Sequence, residues 1–231
     1  MISYAFDETF SGIDKYFADF MAELSEGTTE EDKRHLWLAA ALVSHFTGRG
    51  HICTDIASLA GKPFFPDEKD TSTRIICPEL NRWLKSLRKS PVVGKPDELT
   101  PLILNDNHLL YLNRYWQYEK MLARHIIDKI KTPVCGIDNN LLEEGIKRLF
   151  PEQHKDENDM QYQAALKALK NNFVIISGGP GTGKTFTVSK ILALIAEQGI
   201  NAKTKYAIAL MAPTGKAAAR LSAVIKDAKE R

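Results

Sequence analysis

Eight residues constrain this chain more than any others: Gly178-Gly179-Pro180-Gly181-Thr182-Gly183-Lys184-Thr185. They follow at once on Phe173-Val174-Ile175-Ile176-Ser177, an apolar, β-prone run that reads as a buried parallel strand. They lead into residues 186–197, apolar at Val188, Ile191, Leu192, Leu194 and Ile195, which read as a helix ended by Gly199. Strand, glycine loop and helix in this order make a phosphate loop. Phosphate oxygens need backbone N–H groups pointing inward from a tight turn, and glycine permits both the dihedrals and the close approach. The helix N-terminus adds partial positive charge. The expected ligand is a nucleoside triphosphate, ATP with Mg²⁺, held along Gly178, Gly179, Pro180, Gly181, Thr182 and Gly183. Lys184 is expected to reach the β- and γ-phosphates as a point charge, and the Thr185 hydroxyl to ligate Mg²⁺; these two are the candidate catalytic residues.

Two further features bear on that loop. Gln161 lies seventeen residues before Gly178, on an expected helix with Ala164 and Ala165. Its amide offers donor and acceptor, so it could read an adenine edge, or it could be an exposed helical glutamine. Residues 206–211 form a second apolar run, at the spacing of a βαβ unit with a right-handed crossover. The run ends in Ala212-Pro213-Thr214-Gly215-Lys216, followed by an expected helix over 217–226 with Thr214 as N-cap. Thr214 and Gly215 amides, with Lys216 and Arg220, would suit a nucleic-acid backbone. A capped helix with solvated bases is the competing account of the same residues.

Composition narrows the class. Of 231 residues, 44% are hydrophobic and 26% charged, as in a globular protein with a real core. The net charge of +2 is small, but residues 1–35 carry −6 and residues 201–231 carry +5. A polyanion would be drawn to the basic end. Cys53, Cys77 and Cys135 are odd in number and dispersed, which fits free thiols in a reducing compartment. His51 and Cys53 lack partners at a metal-site spacing. No apolar run is long enough for a bilayer, and the first ten residues do not form a secretory signal, so a cytoplasmic protein with no membrane partner is expected.

The front half reads mostly helical. Thr28 and Thr29 precede Glu30, Glu31 and Asp32, a capped start for a helix buried over 36–46 and ended by Gly48 and Gly50. A short helix is expected over 55–59. Prolines interrupt 62–100, with one helix over 78–87. Residues 101–111 read as a hairpin whose turn, Asn105-Asp106-Asn107, tolerates positive φ. Helices are expected over 113–131 and 139–149, and the main domain transition near residue 112.

The residues now point to a family. Ile176 to Thr185, taken with Ala212-Pro213-Thr214-Gly215-Lys216-Ala217-Ala218-Ala219-Arg220-Leu221, resembles motifs I and Ia of superfamily 1 helicases. The pairing is particularly similar to the RecD family, the α subunit of exodeoxyribonuclease V. Ala40-Ala41-Leu42-Val43-Ser44, Gly48-Arg49-Gly50-His51-Ile52-Cys53 and 110–119, Leu-Tyr-Leu-Asn-Arg-Tyr-Trp-Gln-Tyr-Glu, also resemble that family's N-terminal region. The resemblance implies an α/β chain: residues 1–112 a helical, partner-docking domain with a β-hairpin, and 113–231 a helical lead-in and partial RecA-like ATP-binding motor domain with parallel strands. It implies a 5′-to-3′ DNA helicase acting on single-stranded DNA in double-strand break repair, with RecB-like and RecC-like partners, and it places Gln161 where the family reads adenine. Arg114, Tyr115 and Trp116 could stack bases, though a structural role where hairpin meets helix is favoured.

After Lys184 no apolar strand ends in Asp-Glu, and the later helicase arginines are absent. Phosphoryl transfer needs such charges around the γ-phosphate. This stretch is therefore expected to bind nucleotide, to hydrolyse it negligibly, and to belong to a longer polypeptide. A stand-alone helicase of the same family, or a docking module with an incidental nucleotide site, are the alternatives. A P-loop kinase fits less well, because it leaves the Thr214-Gly215-Lys216 loop unexplained.

Overall fold

Capping hydroxyls start the first two helices. In this computed structural model, which describes residues 10–64, 75–151, 159–204 and 206–229, Ser11 Oγ accepts from the Asp14 amide at 3.4 Å and opens α1 (Gly12–Leu24). Thr29 Oγ1 accepts from the Asp32 amide at 3.1 Å and opens α2 (Glu30–Gly48). Glu30, Glu31 and Asp32 then sit against the positive end of α2. From Leu36 to Val43 every side chain of α2 is buried, so this helix forms the centre of the first unit, residues 1–123.

Two carboxylates pin that central helix to its neighbours. Asp14 on α1 accepts from Ser11 Oγ at 2.6 Å and from Ser44 Oγ of α2 at 2.5 Å. Asp32 on α2 accepts from Ser86 Oγ at 2.7 Å and Lys89 Nζ at 2.9 Å, both on α4 (Leu80–Lys89). The Ser86 hydrogen bond, then that of Lys89, hold the Asp32 carboxyl well below the usual carboxylate range. Trp83 is fully buried, and its indole N–H donates to the His35 carbonyl at 2.9 Å.

The sheet of this unit has the order β1-β6-β5-β4, from β1 (Thr54–Asp55), β4 (Val93–Gly94), β5 (Leu102–Leu104) and β6 (Leu109–Leu112). The β5–β6 hairpin is antiparallel with Leu102 opposite Leu112, β1 is antiparallel to β6, and β4 is parallel to β5. The short helix α3 (Ile56–Leu59) follows β1, and β2 (Pro63–Phe64) pairs separately with β3 (Ile75–Ile76). In the hairpin turn, the Asn105 carbonyl accepts from the His108 amide at 3.1 Å and the Asn105 side chain from the Leu109 amide at 3.0 Å. The positive φ falls on His108, at 63°, and not on the Asn-Asp-Asn run expected from sequence. A single left-handed residue after the turn satisfies the strand twist, leaving the turn residues themselves in ordinary conformations.

Helix α5 (Asn113–Lys131) follows β6 directly, and the division between the two units, at 123/124, falls inside it. Trp116 meets Tyr111 edge-on, centroids 5.1 Å apart at 73°, and Arg114 lies over the Tyr115 ring. The Arg-Tyr-Trp segment thus joins hairpin to helix, as its structural reading expects.

The second unit, residues 124–231, contains α6 (Asn139–Leu149), α7 (Met160–Lys170), α8 (Lys184–Asn201) and α9 (Gly215–Lys229). Asp138 caps α6 and Asp159 caps α7, the latter accepting from Gln161 and Tyr162 amides at 2.8 and 3.0 Å. Leu142, Ile146, Phe150, Ala165, Leu169, Ile191 and Leu194 form one core among α6, α7 and α8.

Three local expectations change here. Residues 173–177 and 206–211 pair with no strand among the described residues, and the parallel pairing lies between β4 and β5. Ile175 is 77% and Met211 86% exposed. Apolar, β-prone composition favours burial, but a strand also needs neighbouring backbone to complete its ladder. The third change is at Gly199: α8 runs through it to Asn201, and Lys203 takes the left-handed turn at φ 54°. A Cβ on Gly199 would lie 2.7 Å from the Tyr206 ring, so close packing, not helix termination, explains the glycine. Among the described residues no helix is long and apolar enough to cross a membrane.

Candidate nucleotide-binding loop

The glycine loop enters α8 through two left-handed residues, Gly181 at φ 77° and Gly183 at φ 78°. Gly183 is the N-cap, so Lys184, Thr185 and Phe186 present their amides from a first turn with no preceding helical carbonyl to receive them. The Lys184 ammonium donates to the Gly178 carbonyl at 2.5 Å and also to Gly179, and it lies 3.5 Å from Thr182 Oγ1. Thr182 Oγ1 in turn donates to the Gly179 carbonyl at 3.0 Å. The loop is therefore wound tightly around a cation. A Cβ on Gly178 would sit 2.9 Å from Thr182 Oγ1, so a side chain there would force Thr182 to shift.

Gln161, in the first turn of α7, reaches this loop: its Nε2 donates to the Thr182 carbonyl at 3.4 Å. A Cβ on Gly183 would come within 2.9 Å of the same nitrogen. Gln161, Ala164, Ile176, Ser177, Thr182 and Lys184 are among the residues lining a groove of about 240 Å³ beside the loop. Thr185 is exposed in the first turn of α8, on the same loop. The sequence-predicted residues from Gly178 to Thr185 are thus brought together with Gln161.

The second set stands differently. Thr214 caps α9, its Oγ1 accepting from the Ala217 amide at 3.3 Å, and Gly215 and Lys216 are exposed. Among the described residues none of these three shares a hydrogen bond or ion pair with the phosphate loop. The Arg220 side chain lies outside the described residues. His51 and Cys53 face a separate hollow, and no trio of His, Cys, Asp and Glu suited to a metal forms among the described residues.

One neighbour of the loop escaped the sequence reading. The Lys190 ammonium lies 4.3 Å from the Phe150 ring centroid and 4.4 Å from that of Phe186. The spacing of Phe186 and Lys190 puts them on one helix face, but nothing in the sequence signals Phe150 as the third member. Burial lowers the pKa of this lysine, with Asp159 acting in the opposite sense.

Comparison with known proteins agrees with this geometry. Residues 7–111 match the family described as RecBCD enzyme subunit RecD, N-terminal domain, and residues 161–230 match an AAA domain. The phosphate loop lies inside the second match, as expected of a partial RecA-like, nucleotide-binding unit. RecBCD enzyme subunit RecD of Mycolicibacterium smegmatis is 34% identical over 96% of this chain and 36% of its own length. The proteins of that name from Haemophilus influenzae and from Buchnera aphidicola subsp. Acyrthosiphon pisum are 31% and 30% identical, each over 93% of this chain and 35% and 33% of their own lengths. The chain spans about a third of the length of these curated relatives. Matches to both parts of the chain, together with relatives that run through nearly all of it, show that this chain belongs to the RecD family and corresponds to its N-terminal portion.

Proposed function

We propose that this chain is the ATP-binding portion of a 5′-to-3′ DNA helicase subunit. It would work with RecB-like and RecC-like partners as exodeoxyribonuclease V, in double-strand break repair and recombination, in the cytoplasm. The relatives are named as subunits of the RecBCD enzyme, which favours a complex over a stand-alone helicase. The observation that carries the nucleotide reading is the loop wound around Lys184, with left-handed glycines at 181 and 183 and helix amides behind it.

These residues fit a triphosphate with magnesium. The glycines leave the backbone uncovered, Lys184 offers an ammonium within the loop, and Thr185 offers an exposed hydroxyl beside it. Lys184 would exchange the carbonyls of Gly178 and Gly179 for phosphate oxygens, and the amides of 181–186 would hold the chain of phosphates. Thr185 would hold the metal, which supplies charge neutralisation on the β- and γ-oxygens. Gln161 would meet the adenine edge with the donor and acceptor that its single long contact to Thr182 leaves over. Thr214, Gly215, Lys216 and Arg220 would receive the phosphates of single-stranded DNA.

Titration with a fluorescent ATP analogue and Mg²⁺ tests the central claim. A saturable signal for the wild type that Lys184→Ala abolishes is expected. The absence of saturation, or binding indifferent to that substitution, would remove the basis of the assignment.

A further inference from the structure

We propose that the apolar end of the groove beside the phosphate loop seats the ring of the base, with Met160 as its outer wall. Ring size is then read by Met160, and the identity of the purine by Gln161. The proposal rests on the nucleotide reading above and extends it to a residue outside the motif.

Met160 opens α7 and is 80% exposed, so the fold itself leaves a large apolar side chain in water. It stands one residue before Gln161 and one helical turn before Ala164, and all three line the same groove, with Ile176 from the run that precedes the loop. Thr182 and Lys184 line it too, so the groove is continuous with the loop. Its volume of about 240 Å³ lies below the roughly 300 Å³ at which pockets begin to hold a whole ligand of drug size, so it takes part of a nucleotide. The two ends differ in chemistry. Lys184 and the loop amides suit phosphate oxygens, whereas the side chains of Met160, Ala164 and Ile176 offer no donor and would leave such oxygens without partners. A flat heteroaromatic ring suits the apolar end, and a flexible, polarisable thioether packs well against it. The contact grows with ring area, which favours a purine over a pyrimidine. It has no direction, so adenine and guanine are alike to it. Gln161 supplies that distinction: its Nε2 donates to the Thr182 carbonyl at 3.4 Å, and its Oε1 remains to accept. Adenine offers an amino donor beside a ring-nitrogen acceptor, whereas guanine carries a carbonyl in place of the amino group.

The test has two arms, both on the purified 231-residue chain. In the first, ATP, GTP, UTP and inorganic triphosphate displace the fluorescent ATP analogue. Met160→Ala is expected to weaken ATP and GTP about fivefold each, the scale of one thioether–ring contact, and UTP less, while triphosphate affinity stays within about twofold. The preference for purine over pyrimidine then shrinks, and that for ATP over GTP stays. Met160→Leu, which keeps an apolar wall, should restore the purine preference. Gln161→Ala should do the reverse, losing ATP over GTP and keeping purine over pyrimidine. In the second arm, dilute hydrogen peroxide passes an oxygen atom to the thioether sulfur, giving the sulfoxide and water, and mass spectrometry follows the product. Saturating ATP should slow the oxidation of Met160 several-fold and triphosphate should not, with Met121 on α5 as the reference that neither changes. Unchanged purine affinity in Met160→Ala overturns the proposal, as does a parallel loss of triphosphate affinity, which would mark a general structural role. Protection of Met160 by triphosphate as strong as that by ATP overturns it too, as does a wild type with no preference for purines. A wild type that binds neither ATP nor triphosphate overturns the nucleotide reading itself, and this proposal with it.

Discussion

Gln198 and Asp138 hold each other by two hydrogen bonds: the Asp138 amide donates to Gln198 Oε1 at 2.9 Å, and Gln198 Nε2 donates to the Asp138 carbonyl at 3.0 Å. Gln198 is buried near the end of α8, and Asp138 caps α6, so one glutamine satisfies the backbone where the chain enters a new helix. Replacing it with alanine leaves a donor and an acceptor without partners. Gln198→Ala is expected to destabilise the second unit by about 2 kcal/mol, read as a lower urea midpoint at unchanged slope.

Gly183→Ala should injure the nucleotide site without unfolding the chain. The residue sits at φ 78°, where a Cβ costs about 1–2 kcal/mol, and that Cβ would displace Gln161. Affinity for the ATP analogue is expected to fall by about tenfold or more, while the far-ultraviolet circular dichroism remains that of the wild type.

Stability should rise with pH through the histidine range. Burial lowers the pKa of both His35 and His45; Arg49 adds to this at His45, and Asp14 opposes it. The folded chain therefore keeps these rings neutral where the unfolded chain binds protons, with an ordinary value of 6.5. Their contribution is complete above that pH and declines as the pH falls below it. A second decline is expected below about pH 4, as the hydrogen-bonded Asp32 carboxylate is forced to protonate against its partners on α4. Urea unfolding from pH 8 to pH 3 measures both. His45→Phe, which keeps an aromatic ring between Phe10 and Phe64, should shallow the first decline and leave the second.

Hydrolysis by this polypeptide should be negligible. Among the described residues, those lining the groove beside the loop include Lys184 but no aspartate, glutamate or arginine, and phosphoryl transfer needs such charges around the γ-phosphate. Release of inorganic phosphate from ATP is expected to stay at the level of a Lys184→Ala control. Steady turnover that disappears in that control would contradict the expectation.

The parts of this chain that were legible in its sequence are those decided locally. The helix at Glu30–Gly48 was read because Thr29 and the acids of its first turn lie next to one another. The loop from Gly178 to Thr185 was read because its chemistry is consecutive. Parts decided by distant residues were not legible. Gly199 read as a helix stop, but its role is set by a ring seven residues on, over a turn that Lys203 makes. Lys190 drew no reading from sequence because Phe150, at the end of another helix, supplies half of its surroundings. The run 173–177 read as a strand because composition records a preference for burial, whereas a ladder requires a neighbour that composition cannot name.

The bare run at 206–211 has a practical consequence. Tyr206, Ala207, Ile208, Ala209, Leu210 and Met211 are uncharged and free of proline, and all of them but the half-buried Leu210 are exposed. Such a stretch can template pairing between molecules as readily as within one. Warming or concentrating this polypeptide should therefore lead to self-association before reversible melting. Its loss of nucleotide binding on heating would then be second order in protein, and an acidic residue introduced at Ile208 would prolong its life in solution more than any repair of its core.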